Sequence, residues 1–305
     1  MEIVKVTTNS LVSTFIKNYQ SQATRTAYSK DLFDFFKHFE NRFSHPKEIS
    51  IASFVEYRDS LKDKGLASAT INRKISSVKA LMDWCVVYGV ISVNPAASLK
   101  LPSVVTESPT SAFTDEEVSK LLSLPDAQTF HGSVHRLALS LLFYLGLRRS
   151  ELVNIRMRDF YEDRGVKALK VTGKGGKLRV LPICEELEKE LKLYAHKYLQ
   201  FTGRDLHAQD FLVQSEASYK NEKPMNTSSI FKMLDKYVKQ AGITKRVSPH
   251  SCRATVISHL LEKQLSPRDV ADFAGHSNIN TTVGIYDKKR LGLANHAAHK
   301  VSFTK

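Results

Sequence analysis

A chain of 305 residues is longer than a single hydrophobic core usually organises, so its length favours two domains over one. Apolar residues make up 42% of the chain and charged residues 25%, which excludes a disordered or membrane-embedded class and predicts a soluble, folded protein. The formal net charge of +14 makes nucleic acid the leading class of partner, because a positive field attracts polyanions. A basic surface that serves solubility alone is the alternative.

The three cysteines, Cys85, Cys184 and Cys252, are scattered without a CxxC pair, which argues against both a disulfide framework and a zinc site. No metal site is therefore predicted. No apolar run approaches the roughly 20 residues needed to cross a bilayer, and the amino terminus lacks the apolar segment of a signal peptide. These features predict a cytoplasmic protein with no membrane partner.

The first hundred residues are predicted to be helical. One apolar stripe at helical spacing runs from Tyr28 to Phe39, and a second runs from Ile71 to Cys85. The other faces of the second helix carry basic side chains, which we interpret as a surface for phosphates, with an ordinary solvated face as the alternative. Residues 1–102 are thus predicted to form a helical DNA-binding domain. The two basic side chains expected to contact the DNA backbone are Arg73 and Lys74.

A polar stretch with two prolines, Pro102 and Pro109, cannot continue a helix and predicts an interdomain linker over residues 103–112. Thr114 and Glu117 then have capping-box spacing, in which each side chain satisfies an exposed backbone amide as a new helix begins. A second domain, residues 113–305, is therefore predicted to start here.

The second domain is predicted to be mainly helical with a small antiparallel β-sheet. An almost continuous apolar run over residues 137–147 predicts a buried helix, and helical spacing returns over 186–198, 228–239 and 250–261. Apolar and polar positions alternate on either side of two glycines, which predicts a β-hairpin. The apolar positions of this hairpin are Leu169, Val171, Leu178 and Val180, and its turn lies between Lys174 and Lys177. The predicted fold class is a helical domain followed by an α+β domain.

Six polar side chains of this domain have chemistry suited to one another: two arginines, a lysine, two histidines and a tyrosine. They are Arg148, Lys174, His250, Arg253, His276 and Tyr286. His250 and Arg253 are three positions apart on a predicted helix and so project to the same side. Singly, each has an ordinary structural interpretation, such as a hydrogen-bonding histidine or a half-buried tyrosine. Their combination is what points to a site.

The combination resembles the tyrosine recombinases, also called the phage integrase family, and in particular its shorter, Xer-like members. The matching motifs, in the family's order, are Gly146-Leu147-Arg148-Arg149-Ser150-Glu151-Leu152, Thr172-Gly173-Lys174-Gly175, His250-Ser251-Cys252-Arg253, Gly275-His276-Ser277, and Thr281-Thr282 leading to Ile285-Tyr286. The helical first domain resembles the family's SAM-like core-binding domain, so the likeness spans nearly the whole chain. Two departures are Ala254, where the family often has histidine, and a spacing of ten between His276 and Tyr286.

The resemblance implies that Tyr286 attacks a backbone phosphate of double-stranded DNA and forms a 3′-phosphotyrosyl bond. Arg148 and Arg253 would hold the phosphate oxygens, for which guanidinium forks are suited, and His276 would add a hydrogen bond. His250 would accept the phenolic proton, and Lys174 would protonate the departing 5′ oxygen. The phosphotyrosyl bond conserves the energy of the broken phosphodiester, so the resemblance implies neither ATP nor any metal or other cofactor.

The resemblance further implies strand exchange between two DNA sites through a Holliday junction. The assembly would be a homotetramer on DNA, or a heterotetramer with a paralogue, and residues 294–301 would be the segment donated to a neighbour. Glu151 is expected to orient Arg148, with a helix-start carboxylate as the alternative. Lys177 and Arg179 on the hairpin are expected to contact the DNA backbone.

Three rival hypotheses come from other classes. A type IB topoisomerase uses the same chemistry without partner exchange, but the compact helical first domain and the short chain favour recombination. A DNA-binding protein descended from a recombinase is opposed by the full set of six groups. A cysteine hydrolase built on Cys252 and His250 is the weakest, because residues two apart on a helix diverge.

Overall fold

The computed structural model describes residues 8–103, 111–215, 219 and 223–289, and for residues 8, 9, 174 and 286–289 it describes the backbone alone. The chain divides into two compact units, residues 1–107 and 108–305. Most of the predicted linker, 103–112, and all of the predicted exchange segment, 294–301, lie outside the described residues, so both stay predictions. Within the described ranges, no helix combines the length and the apolar composition needed to span a bilayer.

The first unit is built from helices around an aromatic core. The helices described here are α1 (Thr8–Lys17), α2 (Gln22–His38), α3 (Ile51–Asp63) and α4 (Ser68–Val87). Phe35 on α2 lies at the centre, with Phe54 and Tyr57 of α3 against it and Ile75 and Met82 of α4 also buried. The two helices predicted from the apolar stripes are therefore confirmed, because both stripes face this core.

The face of α4 predicted to be open to phosphates is partly buried. The Lys74 side chain is only 10% exposed, and its ammonium lies 2.5 Å from Asp34 and 3.6 Å from Asp31. Asp31 also accepts hydrogen bonds from Arg73 and Ser77. Asp34 and the buried Asp31 thus hold the Lys74 ammonium in ion pairs, and its contact with DNA phosphates stays a prediction. Arg73 remains half exposed.

The second unit is mainly helical. Its described helices are α5 (Asp115–Ser123), α6 (Phe130–Leu145), α7 (Arg149–Leu152), α8 (Glu185–Thr202), α9 (Thr227–Gln240), α10 (Pro249–Glu262), α11 (Pro267–Ala274) and α12 (Ile279–Lys289). The predicted buried helix is α6, which packs against α5, α8 and α10. The predicted capping box is also confirmed: Thr114 accepts from the Glu117 amide at 3.2 Å, and Glu117 accepts from the Thr114 amide at 2.8 Å.

Three antiparallel strands form the sheet in the order β1 (Phe160–Asp163), β2 (Val166–Thr172) and β3 (Leu178–Pro182). The predicted hairpin is confirmed as β2 and β3, while β1 had no prediction. The register pairs Thr172 with Leu178 and Val171 with Arg179. Leu178 and Val180 therefore lie on the outer face of the sheet and are 57% and 51% exposed. Arg179 occupies the inward position instead.

Candidate active site

The carboxyl end of α6 sets the position of the first predicted arginine. Gly146 ends that helix with a φ of +57°, a left-handed conformation that favours glycine, and the chain turns to place Arg148 at the start of α7. One guanidinium nitrogen of Arg148 donates to Glu151 at 2.7 Å and the other donates to the carbonyl of Gly275 at 2.9 Å. Arg148 thus connects α7 to the loop after α11.

Glu151 is a buried carboxylate shared by two arginines. Besides Arg148, it accepts two hydrogen bonds from Arg179, at 3.0 and 2.8 Å, and the backbone amide of Arg148 donates to it at 2.9 Å. Burial alone would raise the pKa of Glu151, but these hydrogen bonds outweigh burial and lower the pKa to about 2. Glu151 is therefore a carboxylate at neutral pH and holds both guanidinium groups.

The second predicted arginine, Arg253, lies on α10 and is 1% exposed. Its guanidinium donates to the carbonyl of Gly146 at 2.7 Å and also to the carbonyl of Ala274. Burial, the positive charge of Arg148 and that of Arg179 lower its pKa to about 9, with Glu151 opposing them. Arg253 thus stays protonated at neutral pH, and its two carbonyl partners join α6 and α11 to α10.

The two predicted histidines lie beside these arginines. Burial, followed by the charges of Arg253 and Arg148, lowers the pKa of His250 from its ordinary value. Burial and the same charges lower the pKa of His276 to about 4, with smaller contributions from His250 and Arg179. Both imidazoles are therefore neutral at pH 7. His276 also shares a 2.8 Å hydrogen bond between its Nδ1 and the hydroxyl of the buried Thr282, which fixes the orientation of the ring.

Lys174 and Tyr286 are described by their backbones alone. Lys174 begins the short 3₁₀ turn between β2 and β3. Tyr286 lies on α12, which packs against α10 and α11 and whose Ile285 contacts a small apolar cluster of those helices. Whether the lysine and tyrosine side chains reach the arginines stays a prediction.

An open cleft of about 1040 Å³ lies over this group. The side chains along its walls come from α7, the β2–β3 hairpin and the loop after α11. They include Arg148, Glu151, Lys177, Arg179 and His276. The charged side chains here are those of Arg148, Lys177, Arg179 and the adjacent Arg253 against Glu151 and Asp272, four cations and two carboxylates. The described side chains therefore carry two more positive than negative charges, which suits an anion.

Arg179 forms a structural ion pair that the sequence did not predict. Arg179 was expected on the DNA surface, but its side chain is only 11% exposed and forms an ion pair with Glu151. Lys177 is exposed and lines the cleft, so it remains available to a backbone phosphate. The strand register explains this position, since pairing Thr172 with Leu178 puts Arg179 on the face of Val171.

The described residues also bear on thiol and metal chemistry. Cys252 is fully buried, and burial raises the pKa of its thiol far above the usual range, which leaves the cysteine-hydrolase hypothesis without a nucleophile. Among the described side chains, no three histidines, cysteines or carboxylates converge as metal ligands would.

Comparison with protein-family models identifies both units. The model described as the phage integrase family matches residues 111–291, and the model of the phage integrase N-terminal SAM-like domain matches residues 12–87. The chain therefore belongs to the phage integrase family, the tyrosine recombinases. The resemblance drawn from the motifs and from the helical first domain is confirmed.

Known proteins agree with this assignment. The tyrosine recombinase XerC of Staphylococcus carnosus is 30% identical over 274 residues, covering 88% of this chain and 87% of that protein. A post-cleavage complex of the XerH recombinase with its difH substrate matches with a TM-score of 0.72 at 19% identity, covering 99% of this chain and 92% of XerH. A lambda integrase tetramer bound to a Holliday junction matches with a TM-score of 0.67 at 18% identity, covering 94% of this chain and 79% of the integrase chain. The two structures share the fold of this chain, and the predicted fold class is confirmed.

Proposed function

We propose that this tyrosine recombinase breaks and rejoins duplex DNA with Tyr286 as its nucleophile. The phenolic oxygen attacks a backbone phosphorus, the bond to the 5′ oxygen breaks, and a 3′-phosphotyrosyl bond forms. A phenol of pKa about 10 is both a capable attacker once deprotonated and a tolerable leaving group, so the step is reversible. Religation returns the phosphodiester without an energy source.

The excess of cations over carboxylates at the cleft carries the proposal. A phosphodiester under attack gains negative charge on its non-bridging oxygens, and fixed guanidinium groups meet that charge without reorganising. Arg148 and Arg253 take this role in the proposal, while Glu151 and the carbonyls of Gly146 and Gly275 hold them in place. Preorganised donors of this kind are worth about 3 kcal/mol each in the transition state.

The histidines divide the remaining work. His250, neutral because its pKa is lowered, is assigned as the base that accepts the phenolic proton. His276, also neutral, is assigned a hydrogen bond to a phosphate oxygen from the nitrogen that does not face Thr282. Lys174, at the hairpin turn, is assigned as the acid that protonates the departing 5′ oxygen.

We extend the proposal to the assembly. Two DNA sites would be held by four protomers, identical or from two paralogues, and strands would be exchanged through a Holliday junction in the cytoplasm. The similarity in fold to a lambda integrase tetramer on such a junction supports this arrangement. Arg73 and Lys177, which keep exposed side chains, are the proposed contacts to the DNA backbone.

A nicked duplex tests the nucleophile. The probe is a duplex chosen from a random-sequence pool by binding to this protein and nicked next to the cleavage position, so that a short fragment is lost and the covalent complex is trapped. We expect Tyr286→Phe to abolish the covalent adduct while the affinity for the intact duplex is retained. The matched control is Tyr161→Phe on β1, which removes a hydroxyl at the surface. An adduct that survives Tyr286→Phe rejects the assignment.

A further inference from the structure

Arg179 spans the gap between the hairpin and the arginine site. It is the second residue of β3, its side chain is largely buried, and both terminal nitrogens donate to Glu151 in a bidentate ion pair. A bidentate pair fixes the relative orientation of guanidinium and carboxylate, which a single hydrogen bond does not. The position of β3 is thereby tied to that of α7.

The surroundings of Arg179 restrict it further. A Cβ built on Gly275 would come within 3.1 Å of a guanidinium nitrogen of Arg179, and a Cβ built on Gly173 would come within 3.7 Å of the same atom. Arg179 thus lies against the loop that bears His276 and against the residue that precedes Lys174. One side chain contacts the backbone on both sides of the cleft.

We propose that Arg179 is a positioning residue that holds the hairpin bearing Lys174 in register with Glu151, and through Glu151 with Arg148. This inference rests on the function proposed above, in which Lys174 is the general acid. Lys174 lies five residues before Arg179, at the start of the turn between β2 and β3. Strand β3 begins after this turn, at Leu178. Without the ion pair, the hairpin keeps its ladder between β2 and β3 but loses its tie to α7.

The consequence for the reaction is specific to one proton transfer. The bond from phosphorus to the 5′ oxygen breaks as Lys174 gives its proton to that oxygen, and a displaced ammonium does this poorly. An error of about 1 Å in such a group costs on the order of a hundredfold in rate. If the 5′ oxygen is replaced by sulfur, the leaving thiolate needs no proton, because a thiol is far more acidic than an alcohol. Displacement of Lys174 then matters little.

The experiment compares two nicked duplexes, one with the ordinary 5′ oxygen and one with sulfur at that bridging position. Single-turnover cleavage is measured with saturating protein. We expect Arg179→Met to lose about a hundredfold on the oxygen substrate and less than about fivefold on the sulfur substrate. Arg179→Lys, which keeps the charge but not the fork, should lose an intermediate amount on oxygen. Lys174→Met should give the same selective pattern, and Lys170→Met, an exposed position on β2 of the same hairpin, should not.

Comparing two substrates on one variant cancels any loss of folded protein. Equal losses on oxygen and sulfur for Arg179→Met would overturn the positioning role, because a general structural defect affects both. Rates for Arg179→Met within about threefold of the unaltered protein on both substrates would overturn it as well. If the unaltered protein forms no adduct on either substrate, the proposed function itself fails, and this inference fails with it.

Discussion

Each unit contains a buried cluster of charged side chains, and the two clusters differ in their balance. In the first unit, the carboxylates of Asp31 and Asp34 face the cations of Arg73 and Lys74, two against two. In the second unit, four cations face two carboxylates. The cations are those of Arg148, Lys177, Arg179 and Arg253, and the carboxylates are Glu151 and Asp272.

The difference separates a structural cluster from a functional one. Removing charged groups from water is costly, and a fold recovers that cost when each buried charge meets an opposite one. The cluster of the first unit satisfies this condition within the protein. The cluster of the second unit does not, and a phosphate group of DNA would complete it.

The largest effect is expected from a substitution that breaks the unbalanced cluster of the second unit. Arg253→Gln removes a fixed cation from the phosphate site, and we expect single-turnover cleavage to fall at least a hundredfold, the loss that follows from one preorganised donor. Quantification of the covalent adduct on a nicked duplex measures this loss. The matched control is Arg268→Gln, which removes an exposed arginine from α11. Cleavage by Arg253→Gln within about threefold of the unaltered rate would contradict the assigned role.

Breaking the balanced cluster should affect stability rather than chemistry. Asp31→Asn leaves the cations of Arg73 and Lys74 short of a partner in a buried setting, and we expect roughly 3 kcal/mol less free energy of unfolding for the first unit. Denaturant unfolding measures the loss. Asp59→Asn is the control, because that carboxylate is half exposed beside Arg58. Equal losses of unfolding free energy for the two variants would show that the buried cluster stabilises the first unit no more than a surface ion pair does.

Much of the fold could be predicted because local patterns decide it. The apolar stripes of α2 and α4 and the capping box of Thr114 and Glu117 each depend on residues within a few positions of one another. The site motifs were also readable, since the order of the two arginines and two histidines is characteristic of the family. The structure places these four side chains on neighbouring elements.

The exceptions depend on contacts distant in sequence. Lys74 looked like a surface lysine on its own helix, and its burial is explained by Asp34 and Asp31, 40 and 43 positions earlier on α2. Arg179 looked like an exposed polar position between two apolar ones, Leu178 and Val180, but the strand register turns Arg179 inward. A register slip of one residue exchanges the two faces of a strand, and composition alone cannot detect it.

The smallest expected effect is a change in the pKa of one histidine and not of another. His135 and His276 both have a pKa lowered to about 4, but for different reasons. His135 lies beside Tyr237 and does not line the cleft. Burial, followed by the charges of His131 and Lys236, lowers its pKa to about 4. His276 reaches about 4 through burial and the arginines of the site. Each histidine therefore favours unfolding as the pH falls from 6.5 towards 4, because the unfolded chain binds the proton that the folded chain refuses.

An anion should separate the two histidines. Inorganic sulfate bound among the arginines would offset their charge, and we expect the pKa of His276 to rise by about one unit while that of His135 stays unchanged. The stability that His276 loses below pH 6.5 would be partly restored, whereas the loss from His135 would remain. Imidazole resonances followed by NMR, with sulfate against chloride at equal ionic strength, measure both values. Equal shifts would indicate general screening by salt, and the unbalanced cluster would then not be an anion site.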